Sequence, residues 1–365
     1  MAANEHFELI QRAGGTLNGS TWLDRTNYFE TVPSHQLELA LWLEADRMGR
    51  LLPAMTQEKL DTQRDVVKNE RRWSVDNQPY GSWWEKLPAL CFPPSHPFHH
   101  SLMGSMDDLS AARLEDVAEF FRTYYTPDNA VLSIAGDIDE DEVHILVNRH
   151  FGWIPRGNGR PPLASMDVPD AFGSWLRERV DDDVAVPRVF MACRTPIFGS
   201  KDYYAASTLA AMLGTGRGSR LHKSLVRERQ LASSATAFTF DLAKGSDLLV
   251  VDATARPGVS ADALEQGVVD VLDELRLNGP APGELDRVLA QTETEFVSSM
   301  QSAGERAEQL SRFATYCGEP SLLNEQAARY RAVSEESIRA VATERLGPEN
   351  RASLVYIPRS GEGTV

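Results

Sequence analysis

The chain has 365 residues and a formal net charge of −16, with 37 Lys+Arg against 53 Asp+Glu. So acidic a chain is a poor partner for nucleic acid, and no run approaches the ~18 apolar residues that a membrane span needs. Three widely spaced cysteines exclude a disulfide framework and a Cys-x-x-Cys zinc site. They favour a reducing compartment, and without a signal peptide the chain as written is predicted to be cytoplasmic, unless a leader lies upstream.

Apolar periodicity and turn residues predict the structural elements in chain order. The first part begins with a helix that ends at the Gly-Gly pair 14–15, followed by a hairpin with strands at 16–22 and 26–32. A short apolar strand is predicted at 130–135. The predicted helices of this part cover about residues 5–12, 33–51, 56–76, 114–124 and 141–151.

Residues 155–170, which are rich in Gly, Pro, Arg and Asn, form the predicted linker. The part beyond it contains strands, a second hairpin and several helices. Strands are expected at about residues 174–180, 186–193, 232–240, 248–254 and 352–357. Helices are expected at about residues 203–213 and 219–228, and four more within 261–346.

The two parts repeat one another. Residues 126–129 (Thr-Pro-Asp-Asn) lead from a helix into a strand, and residues 347–350 (Gly-Pro-Glu-Asn) do the same at an offset of about 221. The hairpins repeat at an offset of about 217. We therefore predict an α+β fold of two similar units, each an antiparallel-rich sheet packed with helices. The N-terminal unit is expected at 1–154, the linker at 155–170 and the C-terminal unit at 171–365.

The repeat also predicts a deficit in the N-terminal unit. The C-terminal unit has about 60 residues before its hairpin, with two strands and at least one helix, whereas the N-terminal unit has 15. We therefore expect the N-terminal unit to lack roughly 45 residues at its start. Either these strands and this helix are missing from the chain as given, or another chain supplies them.

A charged helix carries the first candidate for metal chemistry. Gln63 and Glu70 are seven residues apart, so they share one helix face. A carboxylate held on a rigid helix can ligate a metal, but a solvated charged face explains the same pattern. His96, His99 and His100 form the second candidate, for which packing within a Pro-rich loop is the favoured interpretation over zinc binding.

Two glycine-containing segments are candidates for ligand binding. Residues 214–220 (Gly-Thr-Gly-Arg-Gly-Ser-Arg) precede a helix, but they follow a helix rather than a strand and lack the ending of a P-loop, so phosphate binding is not favoured. Residues 15–21 are small and polar. Such a strand can offer its backbone to an extended peptide at a sheet edge, or it is a plain hairpin strand with bulge glycines.

Several stretches together resemble the insulinase/pitrilysin/processing-peptidase family of inverted zinc metallopeptidases, and the resemblance covers nearly the whole chain. They are GGTLN at 14–18, DRTNYFE at 24–30, RDVVKNERR at 64–72, NQPYG at 77–81, HPF at 96–98 and GSMDDL at 104–109. In this family two similar α+β units form half of a clamshell, and two halves enclose a chamber, acidic in some members, that takes in unfolded peptides. The resemblance agrees with the internal repeat and with the acidic charge.

The resemblance also implies a zinc site. The family combines His-x-x-Glu-His on a helix with a Glu about 75 residues later, and the Glu inside the motif is the general base. The late Glu corresponds to Glu70, whereas no His-x-x-Glu-His occurs in the 365 residues. The motif is therefore expected to precede residue 1, in the stretch that the repeat predicts to be missing. The chain as given would keep one of three zinc ligands and no catalytic residue.

The same resemblance assigns peptide binding to Leu17, Asn18 and Gly19, which match the strand to which family substrates add. The expected function is that of a peptidase chain acting on peptides, zinc-dependent in the family and inactive alone as given. The alternative is a non-catalytic subunit, or the peptide-binding half of a heterodimeric clamshell. The expected partners are a peptide and a homologous peptidase subunit or a second copy, with no nucleic acid and no membrane.

Overall fold

The computed structural model describes residues 5–359. The elements of the first half are α1 (Glu5–Arg12), β1 (Thr16–Thr21), β2 (Thr26–Thr31), α2 (Leu37–Arg50), α3 (Gln57–Arg71), α4 (Trp83–Cys91), α5 (Met106–Ala111), α6 (Leu114–Tyr124) and α7 (Glu140–Phe151). Those of the second half are β3 (Leu176–Asp182), β4 (Arg188–Thr195), α8 (Tyr203–Gly214), β5 (Ala232–Thr239), β6 (Asp247–Ala255), α9 (Ala261–Asn278), α10 (Glu284–Ser299), α11 (Ala303–Cys317), α12 (Gln326–Arg331), α13 (Glu335–Arg345) and β7 (Ala352–Pro358). None of the helices within residues 5–359 combines the length and apolar character needed to cross a membrane.

The chain folds into two compact units, each assembled from separate segments. The first unit comprises Met1–Glu70, Leu102–Leu163 and Ser298–Leu323, and the second comprises the rest. Residues 71–101 thus pack with the second unit, and residues 298–323 with the first. Compactness and the internal repeat divide the chain differently, so the boundaries predicted from the repeat stay a prediction.

The second unit is built on a five-stranded sheet in the order β3-β7-β4-β6-β5, in which only the β3–β7 pair is parallel. Helices cover both faces of this sheet. Successive residues of a strand point to opposite faces, and Arg177 in β3 bonds Glu265 in α9 while Glu178 bonds Lys86 in α4. Because α9 and α4 lie on opposite faces, the central strand β4 is buried from Val189 to its end.

In the part of the first unit that the structure describes, the sheet has two strands, β1 and β2, paired antiparallel. Helices α1 and α2 and the more distant α11 contact this hairpin. The predicted α+β fold is confirmed in both units, and the two hairpins occur where the sequence places them. The difference between the units lies in the number of strands that each hairpin joins.

The predicted strand at 130–135 is wrong, because the structure assigns no strand there. Its repeat counterpart β7 is buried and pairs with β3 on one side and β4 on the other. The first unit has no such neighbours within residues 5–359, and an apolar segment becomes a strand only where its backbone groups find partners. Val131 and Leu132 are accordingly exposed, by 37% and 47%.

The predicted linker 155–170 has no regular secondary structure, and one side chain ties its first residues to the body of the first unit. The carboxylate of Asp128, in the turn that the repeat identified, accepts the amides of Gly157 at 3.1 Å and Gly159 at 2.7 Å. Each carboxylate oxygen serves one amide. Asp128 is therefore the local anchor of this segment.

We expect the variant Asp128→Ala to expose the segment to proteolysis. Trypsin should cleave after Arg156 or Arg160 at least about threefold faster than in the wild type, because cleavage of a surface segment follows its local opening. Asp128→Asn keeps one acceptor oxygen and should give an intermediate rate. Equal cleavage rates in the three proteins, followed by mass spectrometry, would show that the anchor is immaterial.

Candidate functional site

The candidate peptide-binding edge is the outer side of β1, at Leu17, Asn18 and Gly19. At the end of the hairpin the Trp22 amide donates to the Arg25 carbonyl at 2.8 Å, so these two residues form a hydrogen-bonded pair. Hydrogen-bonded and non-hydrogen-bonded pairs alternate along an antiparallel ladder. Counting back through the register, the backbone groups of Leu17 and Gly19 point away from β2, and those of Asn18 point toward it.

Gly19 shows the same orientation independently. Its amide donates to Oδ1 of Asn18 at 2.8 Å rather than to β2. A Cβ at this position would lie 3.2 Å from the carbonyl oxygen of Asn27 and 3.3 Å from Cδ1 of Tyr28, so glycine lets the backbone approach the tyrosine ring. No strand within residues 5–359 pairs with the outer side of β1. An extended peptide can therefore add there by main-chain hydrogen bonds.

A cluster of half-buried ionisable side chains lies beneath the hairpin, and we call it the buried network. It consists of His6 from α1, Glu30 from β2, and Glu44 and Arg47 from α2. The ligand atoms of the first three lie within 4.8 Å of one another. Nη2 of Arg47 lies 2.5 Å from Oε1 of Glu44, 3.5 Å from Nε2 of His6 and 3.7 Å from Oε1 of Glu30. The guanidinium also lies 3.7 Å from the ring centroid of Tyr28.

Burial changes the proton affinities in the buried network. Burial, and after it the hydrogen bond that its protonated carboxyl donates to Glu30, raise the pKa of Glu44 to about 8. Burial and the charge of Arg47 lower the pKa of His6. At neutral pH Glu44 therefore carries a proton and shares it with Glu30, while His6 is neutral. The network then holds one carboxylate against one guanidinium, and its charges balance.

The sequence analysis missed the buried network because its members belong to three elements. Two signals were available: Glu44 and Arg47 are three residues apart on one face of α2, and Glu30 shares a strand face with Tyr28. Neither signal identifies the third element, so only the packing of α1 on the hairpin brings His6 into the group.

Glu70, the candidate zinc ligand, is exposed near the end of α3. Helix α3 is held by Arg64, whose guanidinium donates to the carbonyls of Leu109 at 2.9 Å and Ala112 at 2.6 Å. Gln63 is exposed on the same helix, as the seven-residue spacing predicts. The helix continues into a π-helical turn at Arg72–Asp76, a geometry that occurs often near functional sites.

The donors around Glu70 do not fit a catalytic zinc ion. A catalytic site takes three protein ligands and leaves one position for water. Within residues 5–359, the one group of three His, Cys, Asp or Glu ligand atoms close enough to hold a metal is His6, Glu30 and Glu44, which does not include Glu70. We therefore derive no chemical step from a metal in this chain.

The histidine loop is built by packing. His96 is 3% exposed, its Nδ1 accepts the amide of Phe98 at 3.0 Å, and its Nε2 lies 3.2 Å from the carbonyl oxygen of Met166. The carbonyl can only accept, so Nε2 carries the proton and the ring is neutral. Burial lowers the pKa of His96 accordingly. Both ring nitrogens are in use, as the packing interpretation requires.

The glycine-rich segment 214–220 is likewise engaged in structure. Arg220, its last residue, forms an ion pair with Glu284 at 2.6 Å and donates to the carbonyl of Gly279 at 2.9 Å. Both members of the pair have side chains only 11% exposed. One of the two arginines of the segment is thus neutralised by Glu284.

Comparison with known proteins identifies relatives along nearly the entire chain. The model of the Peptidase M16 inactive domain matches residues 111–292. The zinc protease PqqE of Helicobacter pylori is 30% identical over 84% of this chain and 68% of its own length. A probable mitochondrial-processing peptidase subunit beta of Schizosaccharomyces pombe is 22% identical over 92% of this chain and 74% of its length.

Solved structures agree with these matches. The crystal structure of a protease from Helicobacter pylori superposes with a TM-score of 0.92 at 27% identity, over 98% of this chain and 85% of that one. The fold, the sequence relatives and the motifs at 14–18, 24–30 and 64–72 all indicate membership of the same peptidase family. This protein is an insulinase/pitrilysin-like metallopeptidase chain and belongs to that family.

Proposed function

We propose that this chain is the peptide-holding part of a zinc-dependent peptidase, and that extended peptides add as a strand to the outer edge of β1. The observation that carries the proposal is the orientation of the hairpin, which leaves the backbone groups of Leu17 and Gly19 directed away from β2. Main-chain bonds of this kind accept many sequences, which suits a peptidase that acts on unfolded chains. The negative net charge favours basic or neutral peptides.

Glu70 has a proposed role as the late zinc ligand of the complete enzyme. Zinc is named for the relatives, since PqqE is a zinc protease by name. In this proposal two histidines and the general base come from polypeptide outside the 365 residues, so the chain alone neither binds zinc stoichiometrically nor cleaves peptides. The position of Glu70 at the end of a helix anchored by Arg64 supports a rigid ligand.

A homologous chain is the proposed partner. The apolar residues Val131 and Leu132 of segment 130–135 are exposed, whereas their counterpart β7 lies between two strands. A partner that supplies the equivalents of β3 and β4 would bury this segment and extend the two-stranded sheet. One distant relative is named as the beta subunit of a processing peptidase, which supports a homologous partner over an unrelated one. A second copy of this chain is the other source.

The alternative function is a non-catalytic subunit that binds peptide beside an active partner. The match to a model described as an inactive domain favours it, and the zinc-protease relatives favour the first proposal. Both functions use the β1 edge. They differ in whether Glu70 contributes to a zinc site once the partner is bound.

Peptide binding is tested by fluorescence anisotropy with a fluorescein-labelled, 12-residue Val/Thr-alternating peptide carrying two lysines. We expect the variant Leu17→Pro, which removes an outward amide and shortens a side chain, to weaken binding at least about tenfold. Thr21→Pro is the matched control, because the Thr21 amide also points outward but lies beyond the proposed segment. Equal weakening by the two variants, with unchanged circular dichroism, would overturn the assignment of the edge.

The zinc proposal is tested on the chain alone and with its partner. We expect well below one zinc per chain by elemental analysis, since one carboxylate cannot hold zinc, and no cleavage of an internally quenched peptide. Adding the homologous subunit should restore chelator-sensitive cleavage that Glu70→Ala abolishes. Cleavage that persists in Glu70→Ala would instead assign this chain to the non-catalytic alternative.

A further inference from the structure

The buried network lies directly behind the proposed peptide edge. Glu30 is the cross-strand partner of Leu17, and Tyr28 is the cross-strand partner of Gly19. These four residues share one face of the hairpin, because residues directly opposite each other in an antiparallel pair project to the same side. The face that carries Leu17 and Gly19 is therefore the face that packs on His6, Glu44 and Arg47.

The buried network already contains its cation. A metal held by His6, Glu30 and Glu44 would need a position close to all three ligand atoms, and the guanidinium of Arg47 lies 2.5 to 3.7 Å from each of them. Arg47 also lies over the ring of Tyr28, a favourable contact for a cation. The arrangement therefore fits a charge-balanced support of the hairpin better than a metal site.

The number of protons in the network determines whether its charges balance. Oε1 of Glu30 is buried without a hydrogen-bond partner, and the Glu30 side chain is only 9% exposed. When the shared proton leaves Glu44, two adjacent carboxylates face one guanidinium, and neutral His6 cannot compensate. Asp46, which lies on α2 together with Glu44, adds further negative charge near His6.

Tyr28 connects the buried network to β1, so loss of the proton is expected to affect the peptide-binding edge through this residue. Its ring contacts the guanidinium on one side, its backbone pairs with Gly19, and its hydroxyl lies 2.8 Å from that of Tyr125. Burial and the hydrogen bond with Tyr28 raise the pKa of Tyr125, so the Tyr125 hydroxyl stays protonated through this pH range. The group behind the edge whose pKa is raised into this range is thus Glu44, which lies beside Glu30.

We propose that the buried network is a proton-dependent support of the peptide-binding edge: the singly protonated Glu30–Glu44 pair holds Arg47 against Tyr28 and keeps β1 in register, and loss of that proton weakens peptide binding. This proposal rests on the proposed function. It adds regulation by pH to that site, with tighter binding on the acidic side of the transition.

The test compares the wild type with Glu44→Gln, whose amide imitates the protonated carboxyl and cannot ionise. Anisotropy with the Val/Thr-alternating peptide should show binding at least about fivefold weaker at pH 9 than at pH 7 in the wild type, and less than about twofold in Glu44→Gln. Glu30→Gln removes the other carboxyl group of the pair and should likewise reduce the pH dependence of peptide binding. Glu38→Gln, an exposed glutamate on the same helix, is the matched control and should keep the wild-type profile.

Hydrogen exchange in the hairpin provides a readout that does not depend on peptide. After correction for the intrinsic rate, protection of the Asn18 and Phe29 amides should fall between pH 7 and pH 9 in the wild type and not in Glu44→Gln. Peptide binding that ignores pH, or that changes equally in Glu44→Gln, would overturn the inference and leave the proposed function standing. No binding at either pH, with a pH-sensitive hairpin, would overturn the proposed function instead, and with it the effect on binding claimed here.

Discussion

Replacing Asn350 by alanine is expected to lower the free energy of unfolding by about 3 kcal/mol, whereas Asn129→Ala should cost less than about 1 kcal/mol. The two residues are equivalents in the repeat, 221 positions apart (350 − 129). Each donates Nδ2 to the carbonyl at the end of the preceding helix: Asn129 to Tyr124 at 3.0 Å and Asn350 to Arg345 at 2.8 Å. The local turn is therefore the same in both units.

The difference between the two asparagines comes from what surrounds the turn. Asn350 is fully buried, its Oδ1 accepts the backbone amide of Arg194 at 3.3 Å, and its Nδ2 also donates to the carbonyl of Arg194 at 2.9 Å. Alanine would leave three buried backbone groups unpaired and a void beside β4. At Asn129 water replaces the lost bond, because the site is partly exposed.

Urea unfolding followed by far-UV circular dichroism measures both effects. The variant Asn350→Asp is an informative companion, because a carboxylate of the same shape cannot donate to the two carbonyls and should destabilise the second unit at least as much as alanine does. Similar losses for Asn129→Ala and Asn350→Ala would contradict the explanation, since they would mean that burial of the turn is energetically unimportant.

The variant Arg194→Met is expected to destabilise the protein by about 3 to 5 kcal/mol. Arg194 is 5% exposed, and its guanidinium donates to the carbonyls of Cys91 and Pro169, each at 2.7 Å. It thereby joins the end of α4 and the segment before β3 to strand β4. Burial lowers the pKa of Arg194, because desolvation disfavours the charged guanidinium.

Removing the Arg194 guanidinium leaves those carbonyls buried without hydrogen-bond donors. The free energy lost at the unpaired carbonyls exceeds the desolvation cost that disappears with the charge. Arg194→Lys should give an intermediate loss, because an ammonium group cannot reach carbonyls on two sides at once. Arg179→Met provides the control: that arginine pairs with Asp262 at the surface and should contribute less than about 1 kcal/mol. Similar losses of stability in Arg179→Met and Arg194→Met, measured by differential scanning calorimetry, would refute this account.

Sequence reasoning predicted the parts of this protein that depend on local chemistry. The hairpin, the helices at 5–12, 114–124 and 203–213 and the two turns before 130–135 and 352–357 lie where the sequence places them, whereas helices α4 and α5 are not predicted and five helices rather than four occupy residues 261–346. The family was also identifiable, because motifs such as RDVVKNERR specify a site rather than a general composition. These features depend on neighbours within a few residues, so a linear pattern contains the information.

Sequence reasoning did not predict features that depend on contacts between distant segments. The predicted strand at 130–135 does not form, because a strand needs pairing partners for its backbone groups. Its composition is as apolar as that of β7, so composition does not distinguish the two segments. The buried network was missed because His6, Glu30 and Glu44 come together only when α1 and α2 pack on one face of the hairpin. The raised pKa of Glu44 follows from that packing, since the same residue on an open helix would be an ordinary carboxylate.

By itself, the sequence determined the duplicated α+β plan, the family, the turn at each Pro-x-Asn motif and the hairpin of β1 and β2. Tertiary structure alone decided which of two equivalent turns is buried, which of two equivalent apolar segments becomes a strand, and which glutamate keeps its proton at neutral pH. The physical reason is the same in each case. Backbone propensity and periodicity act between near neighbours, whereas burial, strand pairing and proton affinity depend on residues that only the folded chain brings into contact.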